Sequence, residues 1–210
     1  VYYVDRSVPE PYRPYVKEGI EAWNKAFEAA GYRNAIVAMD PPDDPSWSAE
    51  DMRYSTVRWT AAHQMGYAIG PSQSDPRTGE ILNADVLISS TFVRGWLFDW
   101  QEIAGPGARA GDGARARAAA LPADGALATM VDGFEAQRRA LQALPARQAE
   151  RVCLAEVGRA QQLGFQYAAL VGLGTLEPGA PMPEEYLGLA IRDLVMHEVG
   201  HTLGLRHNFK

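Results

Sequence analysis

The chain has 210 residues, of which 47% are hydrophobic and 22% are charged, enough for one large domain or two small ones with a sizeable core. Its net charge of −6 argues against nucleic acid as a partner, because phosphate binding requires a positive surface. No stretch of the sequence approaches the ~18 apolar residues of a membrane span, and the single cysteine, Cys153, excludes an internal disulfide.

The first ninety residues predict short strands around one long helix. Residues 1–4 are β-branched and aromatic, which is typical of a strand. From Pro14 onwards apolar residues recur at steps of four and three, which places them on one helix face, and Gly31 is the expected C-terminal cap. The members of this face are Val16, Ile20, Trp23, Phe27 and Ala30. Further strands are predicted at residues 35–39, 54–59, 66–69 and 80–90.

The second half predicts an insertion and then a long helix. Residues 105–125 are mostly Gly, Ala, Arg and Pro without an apolar period, which indicates a mobile segment, and helices are predicted over 126–144 and 146–170. We therefore expect an inserted flexible and helical segment at about 101–150. The last helix is predicted from Pro183 to about Leu203, with two glutamates near its positive end.

The last predicted helix carries the motif H-E-x-x-H-x-x-G-x-x-H, from His197 to His207. His197 and His201 are four positions apart, so both imidazoles lie on one helix face and can reach a single metal ion. Gly204 can adopt the left-handed conformation that ends a helix and turns the chain, which lets His207 approach the metal. Three histidine ligands leave one position of a tetrahedral zinc ion open, as in catalytic zinc sites.

Glu198 follows the first histidine of the motif and is the predicted general base. Zinc lowers the pKa of its bound water to near neutrality, and the carboxylate is expected to take the proton of that water and to pass it to the leaving amine. The expected reaction is peptide-bond hydrolysis without a covalent intermediate. Three of the four histidines of the chain lie within the motif, which makes a chance match improbable.

With these residues the chain resembles the metzincins, and more narrowly the bacterial met-zincin catalytic domain of large exported zinc-dependent metalloproteases. The block 197–210 is the most specific, and weaker support comes from residues 3–5, 19–27, 53–59 and 70–88. The resemblance implies an α/β (α+β) fold with a mixed twisted sheet, a backing helix and a long active-site helix. It also implies that residues 1–210 are the N-terminal part of the catalytic domain and that the protein is exported. The first residues have no charged and apolar leader pattern, so any signal peptide is expected outside these residues.

The same resemblance implies a site for an extended peptide. Metzincins bind substrate along an edge strand by backbone pairing, and that strand corresponds here to Gly66, Tyr67, Ala68, Ile69 and Gly70. A plain surface strand is the alternative for this segment. Only three residues follow His207, so the Met-containing turn and the C-terminal subdomain of the family are expected beyond Lys210.

Several residues and functions have competing interpretations. Asp40, Asp43, Asp44 and Asp51 make either a calcium site or, as their spacing favours, a solvated acidic loop. His63 is expected to be a surface residue, and Cys153, Trp23, Phe27 and Trp59 are expected to pack in the core. Besides a zinc endopeptidase acting on a protein or peptide, the motif is compatible with a zinc hydrolase of non-peptide amides. A non-catalytic binding domain that retains the zinc is the third alternative, but it has no need of a base at Glu198.

Overall fold

The computed structural model describes residues 1–61, 68–104, 166–167, 169–177 and 179–207, without the side chains of residues 98–99 and 101–104. The chain forms two compact units, one made of Val1–Phe92 with Pro183–Lys210 and the other of Val93–Met182. No helix within the described ranges is long and apolar enough to cross a membrane.

The described part of the first unit contains seven strands, in two sheets. They are β1 (Tyr2–Val4), β2 (Ala38–Met39), β3 (Ser55–Thr60), β4 (Ala68–Ile69), β5 (Ser72–Ser74), β6 (Ile81–Ala84) and β7 (Val86–Ser89). Five of them form a mixed sheet in the order β2-β1-β3-β7-β4, and β5 and β6 form a separate antiparallel pair. In the larger sheet β2, β1, β3 and β7 run parallel, whereas β4 lies at one end and is antiparallel to β7.

The described residues also form several helices. After a 3-10 turn at Glu10–Tyr12, these are α1 (Arg13–Glu21), α2 (Asn24–Ala29), α3 (Ser90–Ala104) and α4 (Glu184–Thr202), and residues 166–167 and 169–172 are also helical. The expected α+β class, with a mixed sheet, a backing helix and a long C-terminal helix, is confirmed.

The core of the first unit lies between one face of the larger sheet and helices α1 and α4. Tyr2 and Val4 point to the same side of β1, and the Tyr2 hydroxyl reaches Thr202 at the end of α4, which identifies the covered face. Val57 and Val86 pair across neighbouring strands on this face and are 0% exposed. The helices contribute side chains that are at most 1% exposed, namely Val16, Ile20, Ile191, Leu194, Val195 and Val199. Burial of each such side chain contributes roughly 1.5–3 kcal/mol.

The prediction of one continuous helix from Pro14 to Ala30 is wrong, because the structure has two helices there. The structure ends α1 at Glu21 and starts α2 at Asn24, and Trp23 and Phe27 are only half-buried, as is Trp59 on β3. Trp23 lies at the break, where its indole N–H donates to the carbonyl of Met196 on α4. The apolar period of the sequence assigned Trp23 to the core, but its hydrogen bond to Met196, which is distant in sequence, orients the indole towards α4 instead.

Two predicted strands are shorter or divided for identifiable reasons. Strand β2 starts at Ala38 because the side-chain amide of Asn24 hydrogen-bonds both the N–H and the carbonyl of Ile36. The strand predicted over residues 80–90 is divided at Asp85, whose carboxylate accepts hydrogen bonds from the N–H and the hydroxyl of Thr56. At Asp85 the chain passes from the smaller sheet to the larger one.

Helices α1 and α4 pack closely because glycines leave room for facing groups, which belong to α1, to Trp23 just after α1, and to the backbone of α4. Gly188 faces the ring of Tyr15 so closely that a methyl group there would overlap the ring. A Cβ atom at Gly19 would lie 2.5 Å from the carbonyl oxygen of Arg192, and one at Gly200 would lie 2.8 Å from the Trp23 indole. These contacts follow one another in the same chain direction on both helices, which therefore run parallel. We call this line of contacts the glycine seam.

The second unit is described only in part. In it, the indole N–H of Trp100 donates to the carbonyl of Ala180 at 2.9 Å, and its ring meets that of Tyr167 edge to face at 4.9 Å. The Tyr167 hydroxyl in turn accepts from the N–H of Gly179. The residues 105–165, which hold most of the predicted insertion and Cys153, lie outside the described ranges, as does His63.

The glycine seam predicts that Gly19→Ala destabilises the first unit. The added methyl meets the Arg192 carbonyl and the side chain of Val195, so the helices must separate. We expect the free energy of unfolding in urea to fall by about 1–3 kcal/mol. Gly95→Ala in α3 is the control, because among the described residues a Cβ atom there meets nothing within 4 Å, and alanine is the better helix former. Equal stability of the two variants contradicts close packing at the seam.

Candidate metal centre

Helix α4, which covers the larger sheet together with α1, carries the first part of the motif at its C-terminal end. It begins at Glu184 after Pro183, which caps it, and Glu184 and Glu185 place negative charge at its positive end. Pro183, which the sequence predicts in the first turn, is instead the N-cap residue, one position before the helix. The helix ends at Thr202, within one residue of the predicted end.

The three histidines of the motif converge on one point. Their Nε2 atoms are 3.0 Å apart between His197 and His201, 3.0 Å between His201 and His207, and 3.1 Å between His197 and His207. All three side chains are partly exposed. Among the described residues, no other group of three or more His, Cys, Asp and Glu side chains brings its ligand atoms within 4.8 Å of one another.

The nitrogen atoms of this cluster fit a zinc ion. Tetrahedral coordination at ~2.0–2.1 Å separates ligand nitrogens by roughly 3.3 Å, close to the 3.0–3.1 Å found here. The Nδ1 atom of His201 lies 2.8 Å from the carbonyl oxygen of Leu205, which can only accept, so Nδ1 carries the proton. In the neutral ring the Nε2 lone pair then faces the cluster, as a metal ligand requires.

A glycine turn carries the third histidine back to the helix. Gly204 has a φ of +89°, the N–H of Leu205 donates to the carbonyl of Gly200 at 3.1 Å, and the N–H of Gly204 donates to that of His201 at 2.9 Å. This pair of hydrogen bonds is the Schellman arrangement, in which a left-handed residue closes a helix. The turn places His207 beside the two helical ligands, and Leu205, which orients His201, belongs to the same turn.

Glu198 lies next to these ligands but is not a member of their cluster. Its side chain is 1% exposed, whereas the three histidines are partly open to solvent. The arrangement is therefore three partly exposed histidines with a buried glutamate on the helix that carries the first two of them.

The proposed substrate strand ends against the backbone of Glu198. Ala68 and Ile69 form β4, Gly70 follows them, and Gly66 and Tyr67 lie outside the described residues. A methyl group at Gly70 would overlap the carbonyl of Glu198 and lie 3.1 Å from the Cγ2 atom of Thr202. Only a glycine lets the end of this strand approach the helix so closely.

Sequence reasoning did not identify Tyr2 and Thr202 as neighbours of the site. The Thr202 hydroxyl donates to the carbonyl of Val199 at 2.7 Å, so the Tyr2 hydroxyl, 2.6 Å from it, must be the donor in their hydrogen bond. Burial raises the pKa of Tyr2, in spite of the hydrogen bond to Thr202. Thr202 occupies an unspecified position of the motif, so no sequence signal linked it to the first strand.

The four aspartates considered as calcium ligands do not come together. Each carboxylate instead pairs with a nearby side chain. Asp40 pairs with Lys17 and Arg13, and Asp43 pairs with Arg6. Asp44 accepts a hydrogen bond from Ser46, and Asp51 pairs with Arg53. Hydrogen bonds from Arg53 lower the pKa of Asp51 to about 2. The structure therefore gives no support to the calcium site.

The comparison with protein families agrees with the geometry of the site. The family model described as Met-zincin matches residues 179–210, which contain α4, the three histidines and Gly204. No curated protein and no solved structure matches the chain. The resemblance to the met-zincins is thus confirmed over this segment, and together with the histidine cluster it supports a metalloprotease-like function.

We predict that Gly204→Ala weakens zinc binding about ten-fold. In the part of the chain that the structure describes, a Cβ atom at Gly204 meets nothing within 4 Å. The expected effect is therefore the strain of a left-handed alanine, about 1–2 kcal/mol, which opposes the turn that presents His207. Gly204→Asn should lose less, since asparagine tolerates this conformation. Gly79→Ala, with a φ of +75° and equally open space, is the matched control and should bind zinc as wild type does. Affinity is measured by competition with a chromophoric chelator, and equal values for all variants contradict the role of the turn.

The pKa of His207 predicts a pH dependence of the metal-free protein. Desolvation and the neighbouring His201 lower the pKa of His207. The unfolded chain therefore binds the proton more readily, and the contribution of His207 to stability falls as the pH drops through about 6.5. In chelator, the free energy of unfolding of wild type relative to His207→Gln should decrease from pH 7.5 to 5.5. A constant difference over this range contradicts the prediction.

Proposed function

We propose that this chain is the N-terminal part of a met-zincin catalytic domain that hydrolyses peptide bonds with one zinc ion. The observation that carries the proposal is the convergence of three histidine nitrogens at 3.0–3.1 Å, two of them on the helix that also holds the buried Glu198 and the third on the turn that follows it. The match of residues 179–210 to the Met-zincin family supports it independently of this geometry.

In this proposal His197, His201 and His207 hold the zinc ion through their Nε2 atoms. Zinc bound there supplies Lewis acidity, which polarises a substrate carbonyl and brings the pKa of a water molecule close to neutrality. Glu198 accepts a proton from the attacking water and delivers it to the nitrogen of the leaving amine as the C–N bond breaks. Because Glu198 is 1% exposed, bulk water is kept away from the carboxylate during this transfer.

The proposed substrate is an extended protein segment that adds to the sheet beside β4. Strand β4 is at the end of the sheet order, and Ile69 is 38% exposed, so its outer edge can form backbone hydrogen bonds with a peptide. Gly66 and Tyr67 belong to the same proposed strand. Gly70, which follows β4, contacts the backbone carbonyl of Glu198, so a peptide paired with β4 would lie near the proposed base.

A non-peptide amide is the second candidate substrate, since it needs the same metal and base. The edge position of β4 favours an extended peptide over a small molecule, because strand addition uses a run of backbone groups that a small amide lacks. The resemblance to exported metalloproteases also carries the proposal that the protein acts outside the cytoplasm.

Glu198→Gln tests the proposed base. Glutamine keeps the size of the side chain but cannot accept the proton, so we expect unchanged zinc content and a loss of proteolysis of about 10²–10⁴-fold. The control is Glu185→Gln, an exposed glutamate in the first turn of the same helix. Cleavage of an unstructured protein and of a small amide is followed with and without a chelator.

Each outcome of this experiment has a definite meaning. Proteolysis by Glu198→Gln at the wild-type rate contradicts the role of this residue as base. A wild-type protein that hydrolyses the small amide but not the unstructured protein favours the second candidate substrate.

A further inference from the structure

The indole of Trp23 holds the turn of α4 that carries the first two histidines. Its Nε1–H donates to the carbonyl of Met196 at 2.8 Å, and its ring lies over Gly200, where a Cβ atom would be 2.8 Å from Cζ2. Met196 immediately precedes His197, and Gly200 immediately precedes His201. One rigid side chain therefore spans the whole turn between the two ligands.

The opposite side of the same turn is held by the sheet. Gly70 abuts the carbonyl of Glu198, and Tyr2 hydrogen-bonds Thr202. Positions two apart on an α-helix are separated by roughly 200°, so the contacts at 196 and 200 lie nearly opposite those at 198 and 202. His197 and His201 point from the helix axis in a direction between these two sets of contacts.

This two-sided contact acts where a helix is otherwise prone to fray. His197 and His201 lie in the last two turns of α4, which ends at Thr202, and terminal turns leave carbonyl groups without helical partners. A turn that is already ordered before the metal arrives binds it more tightly, since binding does not have to offset the loss of conformational entropy.

We propose that Trp23 is a positioning residue for the metal centre, which orders the 196–200 turn so that His197 and His201 are placed for the ion. The inference rests on the proposed zinc site but not on the reaction that this site performs. The hydrogen bond of Trp23 to Met196 and its contact at Gly200 are both made to the backbone of α4, so Trp23 acts on the ligands through that backbone.

The test compares Trp23→Phe with Trp47→Phe in the full chain. Phenylalanine at position 23 keeps an aromatic ring but removes the donor to Met196. Trp47 packs against Tyr3 and Tyr54, and within the described residues its indole N–H has no hydrogen-bond partner, so its replacement removes a similar group without touching α4. We measure zinc affinity by competition with a chromophoric chelator, together with urea unfolding in chelator and the visible absorption spectrum of the Co²⁺ form.

We expect Trp23→Phe to bind zinc at least ten-fold more weakly, in the range found for residues that orient metal ligands, and to alter the Co²⁺ spectrum. Trp47→Phe should bind zinc as wild type does. If Trp23→Phe loses stability but retains wild-type zinc affinity and spectrum, its role is merely structural and the inference is wrong. A wild-type chain that binds no zinc overturns the proposed metal site and this inference with it.

Gly200→Ala alters the same contact from the helix side. It keeps the inference testable if Trp23→Phe does not fold. The methyl group meets the indole, so zinc affinity should fall, whereas Gly95→Ala should leave it unchanged. In the Trp23→Phe background the added methyl should have a smaller effect, because the ring atom that it meets is gone. An equal effect of Gly200→Ala in both backgrounds contradicts the inference.

Discussion

The position of α4 depends on the close approach of its backbone to neighbouring elements, and each approach requires a glycine. Gly188 and Gly200 accept aromatic rings from the side of α1, Gly19 accepts the backbone of α4, and Gly70 accepts the carbonyl of Glu198 from the side of the sheet. Glycine in a helix interior is less favourable than alanine by about 1 kcal/mol. The packing that these positions allow offsets that loss and leaves α4 little freedom to slide or rotate.

The metal centre combines this fixed helix with one local turn. His197 and His201 follow from helical spacing, and the left-handed Gly204 brings His207 to them. The carbonyl of Leu205 belongs to the same turn and fixes the proton on His201. Ligand placement and the choice of tautomer thus have one structural origin, in a segment of eleven consecutive residues.

Local patterns in the sequence predicted the parts of the structure that are decided locally. The start of α4 follows from Pro183 and the glutamates after it, and the convergence of the three histidines follows from helical spacing and one glycine. Strands β1 and β3 follow from runs of β-branched and aromatic residues. The break at Trp23, the late start of β2 and the division at Asp85 were not predicted. Each is imposed by a partner that is distant in sequence, such as Met196 for Trp23. The roles assigned to Glu198 and to β4 stay predictions, because they concern a reaction and a bound peptide.

The hydrogen bond between Tyr2 and Thr202 joins residues that are 200 positions apart, and this separation has a consequence for synthesis of the protein. Chains emerge from the ribosome from the N-terminus at ≈ 5–20 residues per second, so β1 waits roughly ten to forty seconds for the helix that covers it. During that interval the apolar face around Val4 and Val57 has no α4 to pack against. Closing so long a loop also delays folding. The three histidines can therefore reach their places only after about 200 residues that follow β1 have been made, so the metal centre forms later than the strands that precede α4.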